Sequence, residues 1–136
     1  MVRGRRGAIL VVDDDEDLSA AMKDLLEENG FAVKVAHSGG EALAVLRGRA
    51  RIAVAIVDLM MPGLDGWDLV QEIRQKSEWA QVGIIATSAK GKSPVAGADR
   101  FMAKPLRADE LLCALLELCE AGPRLRARPR GDSPAS

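Results

Sequence analysis

Apolar runs without a break alternate along this chain with stretches whose apolar residues recur every three or four positions. Ala8-Ile9-Leu10-Val11-Val12, Ile52 to Val57 and Val82 to Thr87 are runs of the first kind, each bounded by polar or turn residues. Such runs predict strands buried on both faces, as in a parallel sheet. Phe31 to Ala36 alternates, with Val33 and Val35 on one face, and Asp99 to Ala103 is a short fifth candidate. Between them lie helical periods. Leu18, Met22, Leu25 and Leu26 follow an acidic opening that suits the helix dipole, and Asn29-Gly30 closes that helix. Ser38 is placed to cap a short helix carrying Ala42, Leu43 and Leu46 and ending near Gly48. Trp67 to Lys76 turns Leu69, Val70 and Ile73 inward, and Asp109 to Glu120 carries Leu111, Leu112, Leu115, Leu116 and Cys119. Regular alternation of strand and helix predicts an α/β fold around a parallel sheet.

One connection breaks the rhythm. Between Ser88 and the fifth strand stand only residues 89–98, including Gly91, Pro94 and Gly97. A parallel crossover needs about 10–12 residues, usually with a helix in it. Proline inside a helix costs about 3 kcal/mol and glycine about 1 kcal/mol. The fourth helix is therefore expected to be shortened or missing, leaving a helical turn or an irregular loop that carries Lys90 and Lys92.

The chain has 136 residues, the size of one domain. Three stretches are expected: a basic N-terminal extension over residues 1–7, a folded domain over 8–121, and a disordered tail or linker over 122–136. The last carries Arg124, Arg126, Arg128 and Arg130 against a single Asp132, with no core-forming pattern. A net charge of −1 favours neither nucleic acid nor a membrane surface as a partner. The N-terminus lacks the apolar region of a signal peptide, and no run approaches membrane-spanning length. A cytoplasmic domain is expected, with Cys113 and Cys119 as reduced core or near-core residues.

Chemistry enters at the strand ends. The first strand runs into Asp13 and Asp14, the third into Asp58, the fourth into Ser88 and the fifth into Lys104. In open α/β sheets the ligand site lies outside the carboxyl ends of the strands. Three carboxylates gathered within about 5 Å repel by roughly 3 kcal/mol per pair at an effective dielectric of 20, so a cation is needed to keep them ionised together. An all-oxygen ligand set favours a hard ion such as Mg²⁺. A carboxylate beside Mg²⁺ and a lysine can act as nucleophile toward a phosphoryl group, with a hydroxyl donating to a transferring oxygen.

The motifs Val11-Val12-Asp13-Asp14, Asp58-Leu59-Met60-Met61-Pro62-Gly63-Leu64-Asp65-Gly66, Ser88-Ala89 and Lys104-Pro105, in this order, resemble the receiver domain of two-component response regulators. The resemblance runs from about Ala8 to Glu120. It implies a doubly wound, flavodoxin-like sheet of five strands in the order 2-1-3-4-5, like that of chemotaxis regulators. It further implies that Asp58 is the phosphoacceptor, fed by a sensor histidine kinase or phosphotransfer protein. Asp14 would hold Mg²⁺ directly, Asp13 through water and Met60 through its backbone carbonyl. Lys104 would pair with the phosphate across a cis Lys104-Pro105 bond, and Phe101 would be the switch aromatic. The switch hydroxyl is assigned to Ser88, which precedes Ala89 as the family pattern requires. Thr87 is the alternative and falls on the other face of the strand.

Such a domain is a switch, catalysing only its own phosphorylation and dephosphorylation, and it would bind an output protein differently in its two states. Two rivals stand beside it: a binding module that keeps the pocket but signals without phosphorylation, and a phosphatase working through an aspartyl phosphate. The second needs an acid shortly after the nucleophile, whereas Asp58 is followed by Leu59-Met60-Met61-Pro62. His37 is read as a surface residue in a turn away from the acidic edge, Asp65 as a helix cap, and Trp67 and Trp79 as packing residues.

Overall fold

The structure is a computed structural model that describes residues 7–61, 63, 65–90 and 95–121. Most of the basic extension, the Arg-rich stretch over 122–136 and Lys92 lie outside the described residues. Five strands form one sheet: β1 (Ala8–Val12), β2 (Val33–Ala36), β3 (Ile52–Asp58), β4 (Gly83–Ser88) and β5 (Arg100–Ala103). All neighbouring pairs are parallel, and the order is β2-β1-β3-β4-β5. This is the doubly wound arrangement expected, with the strand order reversing at β1 and β3 and every strand ending on one edge.

The period of two within each strand sorts its side chains between two cores. Leu10, Val12, Ala55, Val57, Ile84 and Ala86 face α2 (Gly39–Arg47) and α3 (Gly66–Gln75), meeting Leu43, Leu46, Leu69, Val70 and Ile73. Ile9, Val11, Val54, Ile56 and Ile85 face α1 (Glu16–Glu28) and α4 (Ala108–Ala121), meeting Met22, Leu26, Leu111 and Leu115. β1, β3 and β4 are apolar on both faces because helices cover both.

Polar residues set the helix limits. The side chains of Asp15, Ser38 and Asp65 each accept a backbone N–H at the start of α1, α2 and α3, satisfying donors that have no partner inside the helix. Asn29 and Gly48 end the first two helices. Between β4 and β5 no helix occurs among the described residues, so the last helix of the chain is α4.

Three packing assignments change. Leu116 is exposed, and Ala114 and Leu118 are buried in its stead, because α4 meets the sheet along a stripe rotated past Leu116. Trp67 stands exposed on the first turn of α3, whereas Trp79 is buried in the 3₁₀ turn that follows that helix. Cys119 is a core residue and Cys113 is exposed, both as free thiols. No helix among the described residues is long and apolar enough to cross a membrane.

Leu115 and Leu116 test the revised stripe. Leu115→Ala is expected to cost about 2–5 kcal/mol in urea unfolding, as for a fully buried leucine, and Leu116→Ala no more than about 0.5 kcal/mol. Equal losses would contradict the packing described.

Candidate functional site

The carboxyl edge of the sheet gathers side chains that lie far apart in the chain. Asp13 follows β1, Asp58 ends β3, and both are buried, while Asp14 is exposed. One carboxylate oxygen from each of the three lies within 4.8 Å of the others. Lys104, just past β5, places its Nζ 2.9 Å from Asp13 Oδ2 and 3.4 Å from Asp58 Oδ2. When all four are ionised, the carboxylates exceed the ammonium by two charges. A divalent cation matches that excess, and the oxygen-only donor set suits a hard ion.

Backbone geometry fixes each member. Asp13 Oδ1 accepts the Asp15 N–H at 3.0 Å, which ties the pocket to the first turn of α1. Asp58 Oδ1 accepts the Met60 N–H at 3.1 Å, and the Leu59 N–H reaches across to the Thr87 carbonyl at 2.9 Å. Lys104 N–H donates to the Ser88 carbonyl at 2.8 Å, so the lysine leaves the sheet beside the end of β4. The Lys104-Pro105 bond is cis, as expected from the sequence. Gly66 opens α3 directly beneath Asp58. A Cβ there would run into the Asp58 carbonyl oxygen and stand 2.5 Å from Leu59 Cα, so only glycine lets the helix start this close to the strand end.

Electrostatics follows from burial. Desolvation pushes the Asp58 carboxyl above its ordinary value of 3.8, the Met60 N–H and the Lys104 ammonium pull it down, and the Asp13 charge adds to the rise. Burial disfavours the Lys104 ammonium, but the hydrogen bond and charge of Asp13, with those of Asp58, outweigh it and raise Lys104 above 10.5.

The two candidate hydroxyls divide as the strand period requires. Ser88 pairs with Ala103 and Ala86 with Phe101, so Ser88 and Phe101 share a face. Thr87 pairs with Met102 on the other face, and its Oγ1 donates to the Val57 carbonyl at 3.4 Å. Ser88 Oγ accepts the Lys90 N–H at 3.0 Å, and as an acceptor there it keeps its own proton for another partner. Phe101 is half-buried against the core on the α3 side. Met60 contributes backbone to the loop after Asp58, and its side chain is exposed.

His37 needs correction. β2 ends on the same edge as β1, and Asp13 N–H donates to the carbonyl of Ala36, the residue before His37. The side chain is 38% exposed, so His37 is a surface residue as expected, with Nε2 3.3 Å from the buried Ser19 Oγ and its backbone N–H on Glu41 Oε1 at 2.7 Å. The turn after β2 is where expected, but parallel pairing with β1 puts it on the acidic edge rather than away from it.

Residues 9–116 match the family model described as "Response regulator receiver domain". This chain belongs to the receiver domain family of response regulators. The receiver is 36% identical over 113 residues to the transcriptional regulatory protein CpxR of Klebsiella pneumoniae, covering 79% of this chain and 47% of that protein. It is 31% identical over 129 residues to the response regulator MprA of Mycobacterium avium, covering 92% of this chain and 54% of that one. The chain thus spans about half the length of the curated relatives it matches. Among solved structures it resembles the receiver domain of the Francisella response regulator 1452, with a TM-score of 0.75, 31% identity and coverage of 84% and 97% of the two chains. It also resembles the Thermotoga maritima response regulator TrrA in complex with Mg²⁺-BeF, with a TM-score of 0.72, 31% identity and coverage of 82% and 98%.

The raised Asp58 carboxyl has a consequence for stability without metal. The folded receiver holds a proton on Asp58 over a pH window in which the unfolded chain has released it. Stability from this group is therefore present below 3.8 and lost as pH rises through the folded value. Asp58→Asn is expected to raise the thermal midpoint of the metal-free protein by a few degrees at pH 7. That gain should shrink toward zero in acid, as followed by circular dichroism across pH. A gain independent of pH would mean that ionisation of Asp58 is not its source.

Proposed function

We propose that this receiver takes a phosphoryl group onto Asp58 from the phosphohistidine of a sensor histidine kinase or phosphotransfer protein, and that the phosphorylated form binds an output protein differently. The observation that carries this reading is the single pocket in which Asp13, Asp14 and Asp58 converge with Lys104 at the carboxyl edge of the sheet.

In this reading Asp58 Oδ attacks the phosphorus, the P–N bond breaks, and its electron pair returns to the imidazole nitrogen of the donor. Asp13, Asp14 and Asp58, with the Met60 backbone carbonyl, would hold Mg²⁺. The ion supplies charge neutralisation at the transferring oxygens. Lys104, which bridges Asp13 and Asp58, turns toward a phosphoryl oxygen, and Ser88 donates its free proton to another. That reorientation gives up the contact with the Lys90 N–H, and Phe101, on the same face as Ser88, repacks with it. The folded receiver corresponds to residues 8–121, acts in the cytoplasm, and catalyses nothing beyond its own phosphorylation and dephosphorylation. It does not bind nucleic acid or membrane directly.

A second reading has one observation in its favour. The described residues between β4 and β5 hold no helix, which suits a module that presents the pocket but signals without phosphorylation. A small-molecule phosphodonor with Mg²⁺, followed on a phosphate-affinity gel, separates the two. Wild type is expected to shift, and Asp58→Ala to lose the shift entirely. Lys104→Met should slow it by about 10²-fold or more, the scale of losing one electrostatic contact in a transition state. No Asp58-dependent shift would favour the second reading.

A further inference from the structure

In the absence of a described helix between β4 and β5, α3 holds the segment that returns to β5. Gln71 Nε2 donates to the Ala96 carbonyl at 2.8 Å, and Arg74 Nε donates to the Gly97 carbonyl at 2.7 Å. Arg74 Nη2 reaches Asp99 Oδ2 at 3.1 Å, and the same carboxylate oxygen accepts the Ile84 N–H of β4 at 2.8 Å. The Arg74 and Asp99 side chains are only 18% and 14% exposed, so this pair is better shielded than an ordinary surface bridge. Gly97 has a φ of +93°, and a Cβ there would stand 2.9 Å from Arg74 Cγ. The arginine stem therefore lies against bare backbone.

The strands on either side of this clamp end in pocket residues. β4 ends in Ser88, whose hydroxyl is held by the Lys90 N–H. Asp99 leads directly into β5, which carries Phe101 and delivers Lys104 to Asp13 and Asp58. Asp13 and Asp14 follow β1 and Asp58 ends β3, whereas the hydrogen bonds of the clamp reach residues 96–99 and the start of β4. Ser88 and Lys104 thus follow from the two strands that the clamp joins.

We propose that Arg74, with Gln71, is a positioning residue for the phosphate-binding half of the pocket. By pinning residues 96–99 to α3 it sets where β5 places Lys104. Because coupling between sites is reciprocal, it also makes α3 the element that responds when Ser88 and Lys104 close on a phosphoryl group. The inference rests on the phosphoacceptor reading above, and its test keeps the two apart.

Mg²⁺ alone and then beryllium fluoride at saturating Mg²⁺ are titrated by calorimetry into wild type, Arg74→Met and Gln71→Ala. The methionine keeps an apolar stem on Gly97, and the exposed Gln71 can be cut back without opening the core. Mg²⁺ affinity is expected to be the same in all three. Beryllium fluoride affinity should fall about tenfold in Arg74→Met and less in Gln71→Ala, within the 5–150-fold span of ordinary coupling. Hydrogen exchange in α3 should slow on beryllium fluoride binding in wild type and change less in Arg74→Met. A variant that binds both ligands as wild type does, or loses both in proportion, overturns the inference and leaves the phosphoacceptor reading standing. If Arg74→Met does not fold, Gln71→Ala decides by the same criterion. Wild type that binds Mg²⁺ but no beryllium fluoride overturns both.

Discussion

Carboxylates do not gather at the end of a buried sheet unless something meets their charge. Asp13 and Asp58 are almost entirely removed from water, and the Lys104 ammonium is what they share. One cation among three carboxylates leaves the pocket short of positive charge. Burial is what chiefly raises the Asp58 carboxyl, and the Asp13 charge adds to it. The surrounding structure serves to hold this unfavourable gathering in place. β1 and β3 are inner strands of the sheet, covered on both faces, so Asp13 and Asp58 stand at the ends of its well-buried strands. Asp15 caps α1 and also donates its backbone N–H to Asp13, so one turn both opens a helix and orients a carboxylate.

Close packing extends to the loop after Asp58 through Gly66. Helix α3 starts so close to the end of β3 that no side chain fits between them. Asp65 then caps the helix with its own side chain. What looks in the sequence like a turn signature is a device for bringing a helix against the loop that follows Asp58. The opposite end of α3 is bound to the short β4–β5 connection through Arg74 and Asp99, so one helix meets the loop after Asp58 at the carboxyl edge and the entry to β5 at the amino edge.

Much of this was legible beforehand because parallel sheets impose strong patterns. Residues in β1, β3 and β4 must be apolar on both faces, and the helices must repeat every three to four residues, so element type and order could be read directly. The caps at Asp15, Ser38 and Asp65 announce themselves because few residue types can satisfy the first N–H groups of a helix. Leu116 and Trp67 were misplaced because an apolar residue at helical spacing does not reveal how far the covered stripe extends. Arg74 and Asp99 left no signal, being 25 residues apart on elements with no shared period. His37 was misjudged for a related reason: its place on the functional edge comes from pairing between β1 and β2, not from its neighbours in the chain.

By itself the sequence determined the alternating α/β architecture, the absence of room for a full helix before β5, and the residue types that could carry phosphoryl chemistry. Those properties are local: they depend on spacing, turn chemistry and the preferences of single residues. The tertiary structure decided which of those residues meet, that Lys104 bridges Asp13 and Asp58, that Ser88 and not Thr87 shares a face with Phe101, and that α3 holds the shortened connection. Those are matters of register and close approach between distant segments, and they are settled only when the strands pair and the helices pack against them.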